Sequence, residues 1–126
     1  MDRLRADAIA SIERTIESSE ALRAHLEVGE ETGREMIAKL ETGIPVSTAV
    51  DAVGLTASAL RTNLSQHLDD FEHRRHEMRI LFIGAALDEG LSIGEIARKL
   101  GVSRQLLSRF AKEARGDEFT EETGPE

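Results

Sequence analysis

The chain has 126 residues and a formal net charge of −8 at neutral pH, with 3% aromatic residues and no Trp, Tyr or Cys. That length suits one domain or two very small ones. The missing cysteines exclude a disulfide framework and a thiolate metal site. The shortage of aromatics points to a helical core packed from Ala, Leu and Ile. No apolar run reaches membrane-spanning length, and the opening MDRLRADAIA is too charged for a secretory signal, so a cytoplasmic protein without membrane contact is expected.

Residues 1–28 are expected to form an amphipathic helix. Leu4, Ala8, Ile12, Ile16, Leu22 and Leu26 recur at near-helical spacing among Glu and Arg, with no Gly or Pro before Gly29. One apolar stripe on a long charged helix is not stable alone. It packs on the rest of the chain or on a second copy, so the segment serves packing or dimerisation. The run Gly29-Glu-Glu-Thr-Gly33 reads as a break, with a second helix from about Arg34 to Glu41.

The stretch LETGIPVSTAVDAVGLTASALRTNL that follows repeats, at a shift of forty-seven, the skeleton of a segment further along. Leu40 falls on Leu87, Gly43 on Gly90, Ile44 on Leu91 and Val46 on Ile93. Val53 falls on Leu100, Gly54 on Gly101, Leu55 on Val102, Thr56 on Ser103 and Leu60 on Leu107. The expectation is a duplicated pair of helices joined by a tight turn, with two independently similar hairpins as the alternative.

From Ala57 to about Glu89 no Pro interrupts, and Gly84 is the only Gly. Leu64, Leu68, Phe71, Arg75, Met78, Phe82 and Ala85 alternate steps of four and three, a coiled-coil seam broken by one Arg. A continuous helix is expected, with a break near His73–His76 as the alternative. His73 and His76 share a helix face, but a zinc site needs further ligands and the adjacent Arg side chains repel a cation, so no metal is expected. Arg74, Arg75 and Arg79 either contact phosphate or are plain helix surface.

Leu91 to Arg115 reads LSIGEIARKLGVSRQLLSRFAKEAR. Ile93, Ile96, Ala97 and Leu100 make Ser92–Leu100 a short helix with one apolar face. Gly101 stands where a tight turn needs a residue that tolerates positive φ. Ser103 takes the N-cap of a second helix whose inward residues are Leu106, Leu107 and Phe110, with Val102 just before it. Ala97 leaves room for the two backbones to cross.

This pattern closely resembles the helix-turn-helix of bacterial repressors and of resolvase and invertase DNA-binding domains. The resemblance covers about twenty-five residues and rests on Ile96-Ala97, Leu100-Gly101-Val102-Ser103-Arg104 and Leu107-Ser108-Arg109. It specifies the motif and no particular family. It implies that Arg104, Gln105, Ser108 and Arg109 face the major groove, where Arg bonds guanine bidentately and Gln bonds adenine. It further implies phosphate contacts from Ser103, Arg98, Lys99 and Lys112, with Arg74, Arg75 and Arg79 as further candidates.

Charge is distributed to match. Residues 1–72 carry seven Lys/Arg against fourteen Asp/Glu, residues 73–115 nine against five, and residues 116–126 none against five. In the first copy of the repeat Ala57, Ser58 and Thr62 replace Arg104, Gln105 and Arg109, and Val50 replaces Ala97. That copy is expected to serve packing or protein contact; a second reader using Ser58, Arg61 and Thr62 is the alternative.

The expected architecture is thus all-α. A long N-terminal helix at 1–28 precedes two tandem helix-turn-helix units joined by a long helix. The unit at 34–72 is degenerate, the unit at 73–115 binds DNA, and the acidic tail 116–126 is disordered. The expected function is sequence-specific binding of duplex DNA by a bacterial or phage-type transcription regulator, acting as a homodimer. It is expected to need no cofactor and to be no enzyme, because no nucleophile–base pair or phosphate-binding Gly loop is visible. A helix-turn-helix adaptor gripping another regulator or a polymerase subunit, and a recombination accessory factor, are the alternatives.

Overall fold

Long stretches rich in Ala, Leu, Glu and Arg, with proline only at Pro45 and Pro125, favour long helices over any other local structure. The computed structural model describes residues 2–116, and these form four helices: α1 (Arg3–Glu41), α2 (Val46–Asp88), α3 (Ile93–Leu100) and α4 (Arg104–Ala114). The expectation of a disordered tail falls on residues 117–126, outside the described residues. No described helix is long and apolar enough to cross a membrane.

The expected break at Gly29–Gly33 is not there, because α1 runs through both glycines. Neither glycine has any neighbour packed on it, and Glu30 and Glu31 both pair with Arg34 across the stretch, at 3.7 and 3.6 Å. Such i, i+3 and i, i+4 pairs add helix stability just where glycine removes it.

The expected turn at Gly54 is also absent. Residues 46–88 form one helix, so 34–72 is no helix-turn-helix unit, and the stretch 57–89 lies within a continuous helix up to Asp88. The physical reason lies at the other positions of the repeat. The buried Ile80, Ile83, Ile96 and Phe110 of the C-terminal copy correspond, at the same shift, to Gly33, Met36, Ala49 and Asn63. The first copy therefore has no core on which a turn at Gly54 could fold, and the helix continues. Leu55, the counterpart of the half-buried Val102, is 91% exposed.

The chain divides into two compact units. One holds residues 1–15 together with those from Arg74 onward, and the other is Ile16–His73. The second unit is a hairpin of the C-terminal part of α1 and the N-terminal part of α2. Its connection closes with Thr42 and Gly43 donating to the Lys39 and Leu40 carbonyls, and the Pro45 carbonyl opens α2 by accepting from Thr48 and Ala49. Ser18 donates to the Asp70 carboxylate at 2.6 Å, and the His25 ring donates from Nε2 to the Leu60 carbonyl at 3.0 Å.

The apolar stripe expected to be buried on α1 is so only in part, with Ala8 buried and Ile12 and Leu22 half-buried. Leu4, Ile16 and Leu26 are exposed, and the buried positions are Ala8, Ser11, Thr15 and Ser18. Their hydroxyls have partners: Ser11 donates to the Ala8 carbonyl, and Thr15 lies within hydrogen-bond distance of the Ser11 and Arg74 carbonyls. A satisfied hydroxyl is buried at little cost.

In the first unit α3 and α4 pack on the end of α2. The connection between them turns at Gly101, which has φ +72, and Val102 donates to the Ala97 carbonyl. The two central glycines therefore differ in what they need. Gly54→Ala, in mid-helix with open space around it, is expected to stabilise the protein by about 0.5–1 kcal/mol. Gly101→Ala is expected to destabilise it by about 1–2 kcal/mol, the cost of a left-handed L-residue. Urea midpoints of the two variants check this, and loss of stability in Gly54→Ala would contradict a continuous α2.

Candidate nucleic-acid interface

The surface of α4 is set by what the helix buries. Ile80 and Ile83 of α2, Ile96 and Ala97 of α3, and Leu107 and Phe110 of α4 form one buried cluster. Ile93, Val102, Leu106 and Ala114 pack around it. Ala97 is 2% exposed and Leu107 fully buried, as a small residue and a large one in a close helix contact require.

Leu106, Leu107, Phe110, Ala111 and Ala114 take one side of α4, so at 3.6 residues per turn the other side carries Arg104, Gln105, Ser108, Arg109 and Lys112. Of these, Arg104, Gln105, Arg109 and Lys112 are exposed and Ser108 is half-buried. Ser103 is the N-cap, its hydroxyl oxygen accepting from the Leu106 N–H at 3.0 Å. The hydroxyl proton stays available to donate. Arg104 lies against the start of α3: a side chain at Gly94 would place its Cβ 3.5 Å from the Arg104 Cζ. Gly94 thus leaves room for the guanidinium, a role that the sequence pattern did not assign to it.

Arg98 and Lys99 are exposed in the last turn of α3. The three arginines in the C-terminal half of α2 are differently placed. Arg74, Arg75 and Arg79 are half-buried, and Arg79 stacks its guanidinium over the Phe110 ring at 5.2 Å. That contact lies on the inward side of α4. α3 and α4 thus carry five exposed cations, Arg98, Lys99, Arg104, Arg109 and Lys112, whereas Arg74, Arg75 and Arg79 of α2 are half-buried.

The carboxylates of α3 and α4 are both engaged. Glu113 accepts from His76 Nε2 at 2.9 Å, and the His76 ring meets Phe110 edge-on. His76, a metal candidate by spacing, is thus directed at Glu113, while His73 is exposed. Glu95 closes a capping box, accepting from the Ser92 N–H at 2.9 Å while Ser92 Oγ accepts from the Glu95 N–H at 3.1 Å. Ser92 therefore caps α3 rather than belonging to it, and the Ser-x-x-Glu spacing was the signal for this. No carboxylate remains on the outward side of α4 between Arg104 and Lys112.

Comparisons of the chain with protein families, with curated proteins and with solved structures gave no match.

The capping box carries a pH dependence. The Ser92 backbone N–H, then the Ser92 hydroxyl, then the charges of Arg98 and Lys99 hold the Glu95 carboxyl below its usual value. A lowered value in the folded state means stability that is present above the unfolded value of about 4.3 and lost as the pH falls through the folded one. Glu95→Gln keeps an acceptor and removes the charge. The wild type is expected to melt above this variant at pH 7, with the gap closing on acidification. A gap of constant size down to pH 3 would mean that the carboxylate charge is not involved.

Proposed function

We propose that α3 and α4 form a helix-turn-helix that binds duplex DNA, with α4 in the major groove, and that the protein is a sequence-specific transcription regulator. The observation that carries this reading is the outward side of α4. It presents Arg104, Gln105, Ser108, Arg109 and Lys112 with no carboxylate among them, directly after the Ser103 cap.

Each residue has a distinct task in this reading. Arg104 and Arg109 offer paired N–H donors to the O6 and N7 acceptors of guanine, and Gln105 offers one donor and one acceptor to adenine. Ser108 is short enough to sit close against a base edge or a phosphate. The N–H groups at the start of α4, with the Ser103 hydroxyl, face a phosphate, and Arg98, Lys99 and Lys112 add cations around it. Arg79 has its guanidinium on Phe110, so Arg74, Arg75 and Arg79 count as secondary phosphate contacts. One such helix reads only a few base pairs, so the reading includes two copies of the chain on two half-sites. No cofactor and no catalytic step belong to it.

A second reading keeps the same scaffold and replaces DNA with a protein, such as another regulator or a polymerase subunit. The acidic balance of residues 1–72 favours it. The two readings part on salt and on sequence. The three exposed cations assigned to phosphate, Arg98, Lys99 and Lys112, give a slope of log K against log salt of about −2.7 per copy on B-DNA.

Selection of bound fragments from randomised duplex DNA by the full chain is expected to return a defined motif. Against that motif Arg104→Ala and Arg109→Ala are each expected to cost about 1–3 kcal/mol with helix content unchanged. Lys112→Ala is expected to weaken all sequences alike and to lower the salt slope by about one. Undiminished affinity in both Arg variants would remove α4 as the reader.

A further inference from the structure

We propose that the hairpin Ile16–His73 docks face to face on a second copy of this chain, through the side that carries Leu26, Ile37, Val50 and Leu68, and so completes a four-helix bundle. The hairpin is short of a core of its own. Its buried residues are Ser18, Ala49 and Val53, while Leu26, Ile37, Val50 and Leu68 are 45–57% exposed. Two helices alone bury too little to hold such a surface in water, and bundles of four solve this by packing two hairpins together.

The four residues lie on one side. Leu26 lines a groove with Leu60, Arg61 and Leu64. Ile37 follows Leu26 by eleven residues, which is three turns. Val50 precedes Arg61 by eleven residues and Leu68 follows it by seven, three turns and two turns. Each therefore extends one rim of the same groove.

Area and charge identify the occupant as a second copy. Helices of about 26 residues are about 39 Å long, and two of them side by side are about 20 Å wide. Their face is thus about 800 Å², the area that each partner contributes to a standard stable interface. The hairpin carries eleven carboxylates against four cations, so most of its surface would repel a like copy. The groove instead is lined by one charge of each sign, Arg61 and Glu30, the latter paired with Arg34 of the same helix, so it is the strip of the hairpin that repels a like copy least. A basic protein would find no unpaired carboxylate among its lining residues. The proposal rests on the DNA reading for its use, since two half-sites need two copies, and its test involves no DNA.

Light scattering of the full chain without DNA, at tens of micromolar, is expected to give twice the chain mass of 13.9 kDa. Val50→Glu with Leu68→Glu is expected to give a monomer. Leu68→Ala, which adds no charge and suits a helix, is expected to weaken association by about tenfold and so reports on the face even if the charged variant loses its fold. Leu55→Glu, about 140° around α2 from Val50 and 91% exposed, is expected to leave the dimer intact. A monomeric wild type, an undiminished dimer in the Leu68→Ala variant, or dissociation by Leu55→Glu would each overturn the proposal. None of these outcomes touches DNA binding by α4, which fails separately if the selection returns no motif.

Discussion

Leu107 and Ile83 have no exposed surface, and they lie in one cluster with Ile80, Ile96, Ala97 and Phe110. An eleven-residue helix such as α4 is marginal in isolation. Its outward residues have a fixed direction only because its inward ones are seated. The same seat disposes of charge. Phe110 takes Arg79 over its ring and His76 at its edge, and His76 holds Glu113. What remains on the open side of α4 is donors and cations.

This local arrangement is what would let a chain of net charge −8 present the proposed site to DNA phosphate. A phosphate responds mainly to charges within about 8 Å at physiological salt. The relevant balance is therefore that of α3 and α4, where Glu95 is committed to Ser92 and Glu113 to His76. The total charge governs solubility and non-specific association, not this site.

The C-terminal connection was legible because its determinants are adjacent in sequence. Gly101 permits the left-handed turn, Ser103 and its neighbours cap α4, and Ile96, Leu107 and Phe110 supply the buried side. The apparent first copy had the same punctuation and failed. A glycine allows a turn but does not compel one, and the choice falls to packing between residues far apart. Gly33, Ala49 and Asn63 cannot replace Ile80, Ile96 and Phe110 in volume; only Met36 matches its counterpart Ile83. A comparison of glycines and caps misses this; a comparison of core volumes at the same shift would have shown it. The base-reading candidates came from the resemblance to helix-turn-helix domains, and helix periodicity agrees in leaving them off the buried side of α4, whereas the diversion of Arg79 to Phe110 and the seat of Arg104 beside Gly94 required coordinates.

The buried line of α1 was illegible for a different reason. Hydropathy assigns Ile16 and Leu26 to the interior and Ser11, Thr15 and Ser18 to solvent, and the structure has the reverse. Ser and Thr in a helix can lend their hydroxyls to carbonyls one turn back, which removes the penalty of burial. It does not supply what burial of Leu or Ile supplies, about 25 cal/mol for each Å² of apolar surface taken from water. A hairpin that hides hydroxyls and shows aliphatic side chains has its hydrophobic stabilisation still to gain. That deficit is greatest in residues 16–73, where Val53 is the largest buried side chain. On the proposed docking of a second copy, association is part of folding for this segment, and its stability depends on protein concentration as well as on sequence.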